Sequence, residues 1–230
     1  MQNWSISLED LKVGTFSPQK HGFVTIPNFM DDPGIAIAAA SLQKFAKITP
    51  QYPGIRSPLP ESVADQWLEQ LQPMLRENFG SEGSRWQIQA WFSIVTNPPA
   101  SLLPIQRLPH VDGTDRNVIA MMLYLDHTDH GGTAFFRHRA TGFEDLTAET
   151  FPIYKASLEN DVRKTGMPPA QYVTDGAPHF ERIHASSGAF NEAVFYRGNV
   201  FHSGAINNEL ALSPDPRVGR FTINATFRPL

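Results

Sequence analysis

Pro109–His110–Val111–Asp112–Gly113 places a histidine and an aspartate two residues apart, just ahead of the apolar run Val118–Leu125. In an extended chain residues i and i+2 point to the same side, so His110 and Asp112 present an imidazole nitrogen and a carboxylate oxygen to one metal ion. A third ligand is offered by His202 in Val200–Phe201–His202–Ser203–Gly204, a short strand that a jelly roll brings beside the first. Two histidines and one carboxylate on one face of an octahedron leave three positions open, the arrangement with which non-heme iron(II) takes up a cosubstrate and dioxygen. The chain has no cysteine, which excludes thiolate zinc sites, iron–sulfur ligation, disulfides and a thiol nucleophile. Any metal is therefore held by His, Asp or Glu. The same His-x-Asp triplet recurs at His127–Thr128–Asp129, in a polar loop where a solvated histidine is the expectation.

Beyond His202 the run Arg220–Phe227 alternates strictly, with Arg220, Thr222, Asn224 and Thr226 on one face and Phe221, Ile223, Ala225 and Phe227 on the other. Such a strand either turns its polar side to water or lines a cavity where the Arg220 guanidinium and the Thr222 hydroxyl hold a carboxylate, a group matched by arginine's planar fork. Arg217 is the alternative anchor. Arg137 and Arg139, which follow Gly131–Gly132–Thr133, are candidates for contact with an anionic or polar substrate, as is Asn224.

Positioning these side chains calls for many short strands and ordered loops, which suits a chain with 19 prolines among 230 residues better than a helical bundle. From Trp86 the apolar pattern has period two, and further strands are expected at His21–Pro27, Val118–Leu125, Ala134–Arg137, Ala193–Arg197, Val200–Ser203 and Gly219–Arg228. One helix is expected from Asp31 or Asp32, with Pro33 in its first turn, to about Lys47. A second starts near Pro60–Glu61, is bent or broken at Pro73 and stops at Gly80. The pattern predicts a mainly β jelly roll in one domain, 1–230, with a helical N-terminal part at 1–85 and a core at 86–230 that carries an insertion at about 137–190. The long stretch between the Gly131–Gly132 turn and His202 is expected to cover the mouth of the metal pocket, and within it Thr150, Pro152 and Gly166 bracket a helix. Hydrophobic residues at 41% and charged residues at 18% give a folded core, and a net charge of −4 without blocks of like charge disfavours nucleic acid and anionic membranes as partners. No stretch approaches the roughly 18 apolar residues of a membrane span, and Met1–Asp10 lacks the basic and apolar regions of a signal peptide, so a cytoplasmic location is expected.

Taken in order, His110-x-Asp112, Tyr124–Leu125–Asp126, Gly131–Gly132–Thr133–Ala134–Phe135, His202–Ser203–Gly204 and Arg220-x-Thr222 resemble the prolyl-hydroxylase-like 2-oxoglutarate- and iron(II)-dependent dioxygenases. The likeness covers about residues 86–230 and, more loosely, His21–Lys47. Tyr52–Pro53–Gly54–Ile55–Arg56–Ser57–Pro58–Leu59–Pro60 and Gly131–Arg139 look like an uncharacterised bacterial branch of that superfamily.

The resemblance implies a double-stranded β-helix, cupin-like, with His110, Asp112 and His202 as ligands of Fe(II). It makes Arg220 the partner of the distal carboxylate of 2-oxoglutarate, with Thr222 beside it and the Tyr124 hydroxyl reaching the same group. Asp126 stands where asparagine is commoner, and the long interval from His202 to Arg220 keeps Arg217 open. The implied reaction is hydroxylation of a small-molecule, amino-acid or peptide substrate with release of succinate and carbon dioxide. Halogenating relatives lack the carboxylate ligand that Asp112 supplies. Two readings from other classes are a cupin-like isomerase or hydrolase that uses the metal without 2-oxoglutarate, and a metabolite-binding jelly roll without turnover.

Overall fold

The computed structural model describes residues 4–80 and 85–230. Period-two patterning builds a seven-stranded antiparallel sheet from β1 (Lys12–Phe16), β2 (His21–Ile26), β3 (Gly54–Pro58), β4 (Trp86–Val95), β5 (Ile119–Tyr124), β9 (Ala193–Arg197) and β11 (Arg220–Pro229). Its spatial order is β1-β2-β9-β5-β11-β4-β3. The remaining strands, β6 (Thr133–His138), β7 (Gly176–Ala177), β8 (Phe180–Ala185) and β10 (His202–Gly204), form a second antiparallel sheet in the order β10-β6-β8-β7. The chain changes sheet between β5 and β6, between β8 and β9, and again on either side of β10, so the two sheets face each other as a jelly roll. Alternation on β6 shows the layering: Phe135 packs inward on Phe16, Tyr124, Val194 and Tyr196 of the large sheet, while Ala134 and Phe136 face the opposite way.

Helices cover the outer sides. In α2 (Glu61–Phe79) Val63, Trp67, Leu71 and Leu75 recur every four residues, and this stripe packs on Phe92 and Ile94 of β4 and on Phe221 and Ile223 of β11. The helix runs through Pro73, expected to bend or break it, because that ring lies on the exposed side, where the lost N–H bond does not disturb the core. The first helix, α1 (Gly34–Ser41), ends well before Lys47. Its continuation is pulled away to β3, where Ala46 and Arg56 exchange backbone hydrogen bonds of 3.0 and 2.9 Å.

The helix of the insertion, α3 (Phe151–Thr165), follows Thr150 and is stopped by Gly166 at a φ of 82°, as the sequence predicts. The helix itself does not line the cavity between the sheets. Tyr154 and Leu158 pack on Phe136, Phe180 and Phe201, whose rings would otherwise leave the outer side of the smaller sheet apolar and wet. The segment after α3 does reach the cavity between the sheets, through Tyr172, whose hydroxyl donates to the Asn97 carbonyl at 2.6 Å. No helix among the described residues is long and apolar enough to cross a membrane.

Candidate metal centre

His110 and His202 lie on neighbouring extended segments that exchange backbone hydrogen bonds, N–H to carbonyl in both directions at 2.9 Å. That pairing sets the imidazole centroids 4.4 Å apart. Asp112, two residues beyond His110, is tied down by its own N–H, which donates to Gly198 O at 2.7 Å. One carboxylate oxygen then lies 3.8 Å from His110 Nε2 and the other 3.7 Å from His202 Nε2. All three ligand atoms fall within 4.8 Å of one another. Ligands about 2.1 Å from a first-row ion and sharing an octahedral face are about 3 Å apart, so side-chain adjustments of roughly 1 Å bring these atoms to an ion.

Protonation suits that role. His202 Nδ1 donates to the Val200 carbonyl at 2.9 Å, which fixes the tautomer and turns the Nε2 lone pair outward. The His110 side chain is 53% exposed, but only towards a cavity whose walls withhold much of its hydration. That burial first, and the His202 ring next, push the His110 pKa down to about 4 against the pull of Asp112, and Arg56 lowers it further. A neutral imidazole is the form that binds metal.

The ligands stand in the wall of a cavity of about 570 Å³ between the two sheets. The polar face of β11 lines it through Arg220, Asn224 and Thr226, and β4 contributes Gln89 and Trp91. Arg220 is 2% exposed. Its Nη2 donates to the Gly131 and Gly132 carbonyls at 3.1 and 3.3 Å, while its Nε has no partner. Gly204, two residues past His202 on the same face of β10, lies so close that a Cβ there would be 3.6 Å from Arg220 Nη2. Two residues of strand span about 7 Å, so the guanidinium stands from the metal face at the reach of a five-carbon dicarboxylate.

Beside Arg220 are further unpartnered groups. Tyr52 Oη and Ser93 Oγ are near enough to feel each other's dipole, yet neither makes a hydrogen bond of good geometry. Burial raises the Tyr52 pKa and keeps the phenol protonated as a donor. Arg56 lies over the Tyr52 ring, with its Cζ 3.9 Å from the centroid, and its Nε is also buried and unpartnered.

Other candidate residues have different occupations. The Thr222 hydroxyl, fully buried, donates to Asn224 Oδ1 at 2.6 Å. The Tyr124 hydroxyl is shared with Thr133 Oγ1 at 2.7 Å and Ser186 Oγ at 3.0 Å, and neither Thr222 nor Tyr124 lines the cavity. Arg217 is held at the surface by Asp215, with Nη2 2.6 Å from Oδ2. Arg137 is taken by Glu144, a fully buried acid 2.6 Å from its Nη2 that draws the guanidinium to the far end of β6, and Arg139 is exposed. Neither arginine lines the cavity, which corrects the expectation of substrate contact. In the second His-x-Asp triplet all three residues are exposed, and His127 stacks on Phe190 with centroids 4.0 Å apart. Tyr52, Ser93 and Arg56 were not anticipated as site residues, since only the register of β3 and β4 puts Arg56 beside Ser93 and that pairing leaves no local periodic signal.

A family model described as "Family of unknown function (DUF6445)" matches residues 9–227. No curated protein matches the sequence. Similar solved structures include HygX from Streptomyces hygroscopicus with nickel, 2-oxoglutarate and hygromycin B bound, at 13% identity over 91% of this chain and 83% of that one, with a TM-score of 0.47. A Pseudomonas putida prolyl-4-hydroxylase is similar at 15% identity over 94% and 96% of the two chains, with a TM-score of 0.40. The non-heme alpha ketoglutarate dependent epimerase SnoN from nogalamycin biosynthesis is similar at 12% identity over 91% and 78%, with a TM-score of 0.45.

Proposed function

The chain belongs to this family of unknown function, and we propose that it is an oxygenase that uses iron(II) and 2-oxoglutarate, of the prolyl-hydroxylase-like kind, and hydroxylates an organic substrate. The observation that carries this reading is the pairing, in one cavity, of a His-Asp-His face with a buried arginine whose Nε has no partner. A hydrolase or isomerase that needs only the metal has no use for a dicarboxylate anchor, and an idle buried guanidinium edge is costly to maintain.

His110, Asp112 and His202 would hold the ion, which supplies the activation of dioxygen. In the overall reaction 2-oxoglutarate, dioxygen and a C–H bond become succinate, carbon dioxide and a C–OH bond. The protein's own share is positional. Arg220 meets the distal carboxylate, Tyr52 offers it a hydroxyl donor from the cavity wall, and the Gly131 and Gly132 carbonyls hold the guanidinium at the angle this requires. Tyr124 acts one step back, by fixing Thr133 in the cavity wall.

Succinate release in air from the protein supplied with iron(II) and 2-oxoglutarate tests this directly. The parent is expected to release succinate and the Asp112→Ala variant to release none. Arg220→Gln is expected to raise the 2-oxoglutarate concentration for half-saturation by about 30-fold or more, since losing a buried charge-assisted contact costs roughly 2–5 kcal/mol. Arg217→Ala is expected to match the parent. Succinate release by the parent no faster than by Asp112→Ala would overturn the reading.

A further inference from the structure

Only three charged side chains among the described residues line the cavity, apart from the histidines: Asp112, Arg220 and Arg56. On the oxygenase reading, two of the three are already answered. A divalent ion beside Asp112 leaves one positive charge and Arg220 adds another, and the two carboxylates of 2-oxoglutarate cancel both. Arg56 remains. Among the described residues no carboxylate forms an ion pair with it, its Nε is buried without a partner, and its guanidinium lies over the Tyr52 ring. A cation stacked on an aromatic face and facing a cavity is a ready receptor for an anion.

Register separates Arg56 from the cosubstrate anchor. On the inner face of the large sheet one row holds Gly54, Val95 and Arg220, and the next holds Arg56, Ser93 and Thr222. Arg56 is thus two strands across and one row along from Arg220, which with strands about 4.8 Å apart and about 3.4 Å per residue puts their Cα atoms roughly 12 Å apart. The following row brings Trp91 and Asn224 to the same cavity. Arg56 therefore stands, by register, between the row of the cosubstrate anchor and a stretch walled by an indole, an amide and, at Gln89 and Thr226, further uncharged polar groups.

We infer that the substrate is a carboxylic acid and that Arg56, braced on Tyr52, binds its carboxylate and thereby selects it. This rests on the oxygenase reading, which the same experiment checks independently. Nickel(II) replaces iron so that nothing turns over, and calorimetry first measures 2-oxoglutarate binding to the nickel-loaded protein. The probes are straight-chain alkanoates from acetate to octanoate and their primary amides, titrated into protein saturated with nickel and 2-oxoglutarate.

The expected result is that at least one alkanoate binds about tenfold or more tightly than its amide, without displacing 2-oxoglutarate. In Arg56→Met that preference is expected to fall below about twofold, and in Arg56→Lys to be partly kept, which separates loss of charge from loss of fold. Three results would each overturn the inference: acids and amides that bind alike or not at all, acids that compete with 2-oxoglutarate, or an undiminished preference in Arg56→Met. Failure of the parent to bind 2-oxoglutarate at all would instead remove the oxygenase reading on which the inference stands.

Discussion

His138 and His184 sit in the packing, away from the metal face, and burial decides their charge. His138 is fully buried between the Tyr154 and Phe180 rings, both 5.1 Å from it by centroids, and His184 stacks on Phe16 at 5.0 Å. Burial lowers the pKa of both, with Asp161 opposing and His179 adding to the effect at His138. Each is thus neutral in the fold, whereas the unfolded chain takes up these protons near pH 6.5. Stability is therefore complete above about pH 6.5 and is lost as the pH falls from there through the lowered folded values. Denaturant midpoints of the parent should drop between about pH 7.5 and 5.5, and His184→Phe, which keeps the stacking and removes one proton site, should lose less over that interval. An equal loss in the variant would show that His184 does not contribute.

Secondary elements set which of these chemical groups meet, and the short edge strand β3 illustrates it. At Gly54 a Cβ would fall 2.0 Å from the Ile94 carbonyl oxygen, so only glycine lets this strand approach β4 closely enough to pair. Gly54→Ala should detach the edge at a cost of about 1–3 kcal/mol, the range for overpacked sites, and carry Arg56 away from Tyr52 and Ser93. A lowered urea midpoint checks the first effect, and an unchanged midpoint would refute it. The same element shows where a sequence stops being readable. β4 and β11 are legible because each buries one face over many residues, so Phe92, Ile94, Phe221 and Ile223 announce themselves by alternation. Gly54–Pro58 is five residues with glycine and proline at its ends and no alternation, and it exists because β4 offers it a partner. For α3 the caps at Thr150 and Gly166 are local signals and could be read, but the face on which it docks follows from the Phe136, Phe180 and Phe201 rings, which are far from it in sequence. His110 and Asp112 share a side by simple strand geometry, whereas their meeting with His202 depends on a long-range bridge.

For the whole molecule, a metal that binds only the folded form adds to its stability by mass action. At about 100 times its dissociation constant the gain is roughly 2.7 kcal/mol, which for a chain of this length corresponds to about 5–11 °C in melting temperature. Nickel(II) added to the metal-free parent should produce that shift, and it should vanish in His110→Ala, Asp112→Ala and His202→Ala, as read by a thermal melt with and without chelator. A full shift in any of the three would remove that residue from the ligand set. The reciprocal hydrogen bonds between His110 and His202 also bear on time as well as equilibrium. Because they join segments far apart in the chain, loop-closure entropy makes this contact slow to nucleate and puts it after the local hairpins such as β1–β2 have formed. An ion stapling a contact absent from the transition state leaves the folding rate alone and slows unfolding. The bound ion would thus act as a brake on escape from the native state, and the lifetime of the folded protein would track metal supply even where its rate of formation does not.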